Sequence, residues 1–146
     1  MKITAASVGV VALGGLGVMK LMPGPTSPPV QRDLRLQSNL RSFLEKTLDR
    51  QGVTGIQGWV AQATESQLTH FSAWVCETHK SVLYADVVGL IGDSRSAVRH
   101  EAVANLISLP PATLTPHKAA IQAIVQTAGF DPALAPAANV LLASIP

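Results

Sequence analysis

Beyond residue 30, apolar side chains recur every three or four positions with polar ones between them, the period of helices that bury one face. Residues 31–50, QRDLRLQSNLRSFLEKTLDR, put Leu36, Leu40, Phe43, Leu44 and Leu48 on one stripe, and Gly52 is placed to close that helix. Residues 53–63, with Gly55, Gly58 and Trp59, read as a loop leading into a short helix. A second firm helix is predicted from about Ser66 on Leu68, Phe71 and Val75. A further stripe of Leu83, Val87, Leu90 and Ile91 runs up to Gly92, and Val98, Ala102, Leu106 and Leu109 repeat it until Pro110-Pro111 stops the helix. Thr115-Pro116 predicts the next start, a hydroxyl cap followed by proline at the first helical position. The apolar side of that helix is Ile121, Ile124, Val125 and Ala128, and Gly129 ends it. Asp131-Pro132 repeats the start signal for a last helix carrying Leu134, Leu141, Leu142 and Ile145, with Pro136 requiring it to begin late or bend. No alternating strand pattern of useful length occurs, so the expected class is all-α.

The first thirty residues behave differently. Residues 3–19, ITAASVGVVALGGLGVM, carry no charge. A helix of that length reaches roughly 25–30 Å, about a bilayer core, and Lys2 and Lys20 can snorkel from its ends. A cleaved secretory signal and a buried core helix compete with this reading, but no convincing A-x-A cleavage site follows. The expectation is therefore a transmembrane anchor over 1–22, a Pro-rich linker over 23–30 (Pro23, Pro25, Pro28, Pro29) and a helical domain over 31–146. The expected localisation is a single-pass membrane protein, with Lys20, Arg32, Arg35 and Arg41 mildly favouring a cytosol-facing domain.

Composition changes the picture in one respect. The chain is 47% hydrophobic but only 14% charged, against roughly a quarter charged in ordinary soluble domains. Its net charge is +2 with scattered basic residues, which leaves no electrostatic footprint for nucleic acid. A single cysteine, Cys76, excludes an internal disulfide. Residues 102–146 hold only two charged side chains, Lys118 and Asp131, too few to shield the last helices from water. A protein partner is expected to meet those apolar C-terminal helices, and a membrane to meet residues 3–22.

Candidate chemistry concentrates in residues 92–106, GDSRSAVRHEAVANL. Gly92-Asp93-Ser94 begins a nucleophile elbow, but Ser96 stands where its second glycine belongs and no strand precedes it. His100-Glu101 begins a zinc-protease motif, but no histidine follows four residues later. Cys76 and His79 could share a helix face, yet two ligands do not make a zinc site. His70 and His117 read as surface or edge histidines. No catalytic, cofactor-binding or metal-binding residue is assigned.

The same stretch resembles a HEAT or armadillo repeat through Asp93, Val98, Arg99, Ala102 and Leu106. That resemblance implies a short α-solenoid of helical hairpins, with Asp and Arg tying neighbouring repeats and Val, Ala and Leu filling the core. A looser resemblance is to the membrane-anchored N-terminal half of the serine active site-containing proteins. It rests on Arg99, Glu101, Ala102 and Val103, then Gln126, Asp131, Pro132 and Leu134 with two extra residues before the aspartate. It implies mitochondrial or endoplasmic-reticulum membranes and phospholipid remodelling, with the hydrolase absent from this chain. The leading expectation is a membrane-anchored, non-catalytic helical-repeat scaffold that binds a protein. The alternatives are the anchoring or regulatory part of a lipase-like protein, and an accessory subunit of a membrane complex.

Overall fold

The computed structural model describes the backbone of residues 29–146 and side chains from Gln37 onward. Among these residues the chain is all-helical, without a strand. Six helices follow in order: α1 (Pro29–Val60), α2 (Glu65–Glu77), α3 (Tyr84–Gly89), α4 (Ser96–Ile107), α5 (Lys118–Val125) and α6 (Ala135–Ser144). Three 3₁₀ segments, Ser81–Leu83, Leu90–Gly92 and Pro111–His117, join them. Residues Gln37–Pro146 form one compact unit; of the other, Met1–Leu36, the described part is the opening of α1.

No helix among the described residues is long and apolar enough to cross a membrane. The expected single-pass localisation, with its mitochondrial or endoplasmic-reticulum assignment, is corrected on that finding. The anchor over 1–22 and most of the linker lie outside the described residues. The end of the linker is helical, because Pro29 opens α1, and proline is tolerated in a first helical turn, where its missing N–H would be unpaired anyway.

Gly52 breaks α1 as expected, with φ 68° and ψ −163°, but the helix resumes at once instead of giving way to a loop. Three glycines lower the propensity of residues 52–58, yet Ile56 is fully buried and Val53, Trp59 and Val60 pack at the core edge. Tertiary burial overrides the local preference. The bend is close enough that a β-carbon on Gly55 would lie 2.3 Å from that of Gln51. On the preceding segment Leu44 is buried and Leu40 and Leu48 are partly so, whereas Phe43, predicted for the core, is 43% exposed.

Helix α2 begins with a capping box that the apolar pattern does not reveal. The Thr64 hydroxyl accepts the Gln67 N–H at 3.2 Å, and the Gln67 side-chain oxygen accepts the Thr64 N–H at 2.8 Å. Its buried Leu68, Phe71, Trp74 and Val75 face the core, and the Trp74 indole donates to Glu45 of α1 at 3.1 Å. Every predicted core position of the next hairpin is buried: Leu83, Val87, Leu90 and Ile91 before the turn, and Val98, Ala102, Leu106 and Leu109 after it. Helix α4 occupies the middle, packing on α2 and on α6, while α5 packs on α6, on α3 and on the Leu90–Gly92 segment.

One predicted start moves, and another falls late as Pro136 requires. Residues Pro111–His117 form 3₁₀ turns, with Leu114 buried, and the α-helix starts at Lys118 rather than after Thr115. Pro111 and Pro116 lack amide donors, and the short 3₁₀ segment accommodates both of them ahead of the α-helix. Helix α6 begins late, at Ala135, which puts Pro136 in its first turn. Gly129, at φ 84°, turns the chain between α5 and α6.

Candidate functional site

Residues 92–106 resolve into a turn and a helix. Asp93 follows the Leu90–Gly92 segment and folds back on its own turn: Oδ1 accepts the Arg95 backbone N–H and Nε, both at 2.9 Å, and Oδ2 accepts Nη2 at 3.1 Å. Ser94 is exposed. His100 Nδ1 stands 3.4 Å from the Ser96 hydroxyl but 2.9 Å from the Ser96 carbonyl oxygen. A carbonyl only accepts, so the nearer bond requires the proton on Nδ1, which removes that nitrogen as a base for Ser96. Glu101, the neighbour that could orient a histidine, instead accepts from Asn105 at 3.0 Å.

Cys76 is buried, and burial, followed by the nearby Glu77 charge, pushes its thiol up to about 12. A thiol so rarely ionised is a poor nucleophile or ligand. His79 is exposed with φ 53°. No group of three or more His, Cys, Asp or Glu side chains among the described residues is placed to hold a metal.

What residues 93–99 do build is a set of fastenings between turns. Arg95 Nη1 donates to the Ala63 carbonyl, in the α1–α2 turn, at 3.1 Å. Arg99 Nη1 donates to the Asp93 carbonyl at 2.9 Å, while its Nη2 and Nε reach Asp131 Oδ2, in the α5–α6 turn, at 2.8 and 3.2 Å. Two arginines thus connect three inter-helix turns. The Arg99–Asp131 pair is well enclosed, with side chains 19% and 11% exposed. Asp131 also accepts the Ala133 N–H at 2.9 Å through Oδ1. The Arg99 bond, above all, holds the Asp131 carboxyl below the usual carboxylate range, and Arg95 does the same for Asp93. The sequence resemblance singled out Asp93 and Arg99; it missed Arg95, for which the only local hint was an arginine two residues after the turn aspartate. Between the α3–α4 and α5–α6 turns lies a cleft of about 260 Å³ lined in part by Gly92, Ile124 and Phe130, with Arg99 already engaged at its wall.

The last hairpin presents a different surface. Leu134, Ala138, Leu141 and Ile145 are buried, so one side of α6 is seated against the body. Its other side, Pro136, Asn139, Val140 and Ala143, is open, and Val140 is 62% exposed. On α5, Ala119, Ala120, Gln122 and Ala123 are likewise open. The cation of this hairpin, Lys118, turns its ammonium to the Ile145 carbonyl at 2.9 Å. The open side therefore carries no ionised group.

Comparison with family models, with curated proteins and with solved structures gives no match to this chain.

Proposed function

We propose that the chain is a non-catalytic helical-repeat scaffold that holds a protein partner on the open side of its last hairpin. Hairpins α3–α4 and α5–α6 act as successive units of a short solenoid, with α1 and α2 forming the unit before them. The resemblance of residues 93–106 to a HEAT or armadillo repeat supports this reading. So do the arginine fastenings between turns and the packing of α4 between α2 and α6. In such stacks each unit buries its face on its neighbour, and a terminal unit exposed to water ordinarily carries a polar outer surface.

One observation carries the proposal: the exposed residues of α5 and α6, among them Ala119, Ala120, Gln122, Ala123, Pro136, Asn139, Val140 and Ala143, include no charged side chain. Its test is site-directed crosslinking, with a photoreactive phenylalanine analogue at position 140 of the full chain in its native cells. A discrete protein adduct that Ala143→Glu abolishes is the expected result. Absence of any adduct at 140, with consumption of the probe on irradiation confirmed by mass spectrometry, would sink the proposal.

A further inference from the structure

Phe43, on the first segment of α1, departs from its predicted burial, and a groove lies where it emerges. Two adjoining hollows, of about 390 and 480 Å³, share Phe43, Thr47 and Gln51 as walls. The floor is aromatic. Phe43 meets Trp59 at 6.2 Å between ring centroids, and Trp59 meets the buried Phe71 at 5.8 Å, so the exposed ring is braced against the core. Lys46 and Arg50 line one hollow; both are exposed and neither forms an ion pair among the described residues. No carboxylate lines either hollow, although acids flank both cations in the sequence. The remaining walls include the side-chain amides of Asn39, Gln51 and Gln62, each able to donate and accept at once. Gly58 leaves open space in the wall where a β-carbon would sit, so another backbone can approach there, whereas the Gln51 side chain fills that place at Gly55.

We infer that this groove binds an acidic peptide segment of a protein partner, one carrying an apolar or aromatic side chain beside its carboxylates. The apolar side chain seats against Phe43 and Trp59, the carboxylates pair with Lys46 and Arg50, and the amides satisfy the peptide backbone. Single-stranded nucleic acid also uses cations beside aromatic rings, but it needs a basic track and successive stacking platforms. Here there are two cations and one well-exposed ring, whereas amides that both donate and accept match a peptide backbone. The groove lies on α1, so the inference stands independently of the surface on α5 and α6.

The test is selection of a random displayed peptide library on the immobilised full chain. The selected peptides are then resynthesised with a fluorescent label and titrated by polarisation. Enrichment of Asp and Glu together with Leu, Phe or Trp is expected, with affinity falling as salt rises. The double charge reversal Lys46→Glu with Arg50→Glu touches only exposed side chains and is expected to weaken binding by about tenfold or more. Phe43→Ala is expected to do likewise, with helicity by circular dichroism as the folding control. Failure to enrich any peptide, enrichment of basic peptides, or equal affinity in the charge-reversed chain would each overturn the inference. Tighter binding of labelled oligothymidylate than of the selected peptide would also overturn it.

Discussion

The bend in α1 makes a sharp demand on two of the three glycines in one short segment, and alanine should tell them apart. Gly52 sits at φ 68° and ψ −163°, a region that L-residues with a β-carbon scarcely enter, and nothing lies within 4 Å of where that carbon would go. Gly52→Ala therefore meets only backbone strain, about 1–3 kcal/mol. Gly55→Ala meets a collision instead, 2.3 Å from the Gln51 β-carbon, an atom that cannot swing aside. Overpacking of this kind costs about 1–3 kcal/mol, occasionally more. Gly58 has open space and no positive φ, so Gly58→Ala should stabilise by about 0.5–1 kcal/mol through helix propensity. For a unit of this size each kcal/mol moves Tm by about 4 °C. The first two variants should thus melt about 4–12 °C lower and the third about 2–4 °C higher, read by far-UV circular dichroism and checked by urea titration. A stabilising effect of alanine at all three positions, accompanied by a gain in helicity, would mean that α1 is continuous and would refute the reasoning.

Other substitutions probe the body of the fold. Leu106→Ala removes a fully buried side chain in the middle helix and should cost about 2–5 kcal/mol in urea unfolding. Val140→Ala, on the open side of α6, should stay within about 0.5 kcal/mol. The folded-state pKa values of Asp93 and Asp131 are depressed, so their bonds contribute stability above the unfolded value, near 3.8, and lose it as pH falls below that toward the folded values. A plot of Tm against pH should bend downward in that range. Asp131→Asn should lower Tm at neutral pH and flatten part of the bend; an unchanged acid limb would show that the Arg99 pair contributes nothing. Cys76 should react with a thiol reagent at a negligible rate in the native chain and fully in denaturant, whereas rapid native labelling would contradict its burial.

The apolar period alone makes the all-α class legible, along with the buried sets Leu83, Val87, Leu90, Ile91 and Val98, Ala102, Leu106, Leu109. These positions follow one helical face each, and a face is local information. The Thr64–Gln67 capping box is also local, but it lies outside the apolar stripe and escapes a reading made on that stripe. The helix after Gly52 was hidden because its glycines mimic a loop, and only the burial of Ile56 against other segments reveals it. Thr115 and Pro116 carry the letters of a helix start, and a run of 3₁₀ turns uses the same letters. The ion pair between Arg99 and Asp131 spans 32 positions, so no local pattern announces it. Phe43 sits on the correct helical stripe yet is 43% exposed, and Trp59 reaches its ring only because the chain turns back between them. Which positions of a stripe are covered depends on segments distant in sequence, and the stripe alone does not hold that information.

Both arginine fastenings originate in the central hairpin, one reaching back to Ala63 and the other forward to Asp131. Among these polar ties, the outer turns are joined to each other only by way of residues 93–99. The apolar core binds the same helices face to face, α6 on α4 and α4 on α2, so these ties work like the coupling between two carriages whose bodies already touch. Loosening that coupling at Arg99 would free the α5–α6 turn while Arg95 still holds the α1–α2 turn.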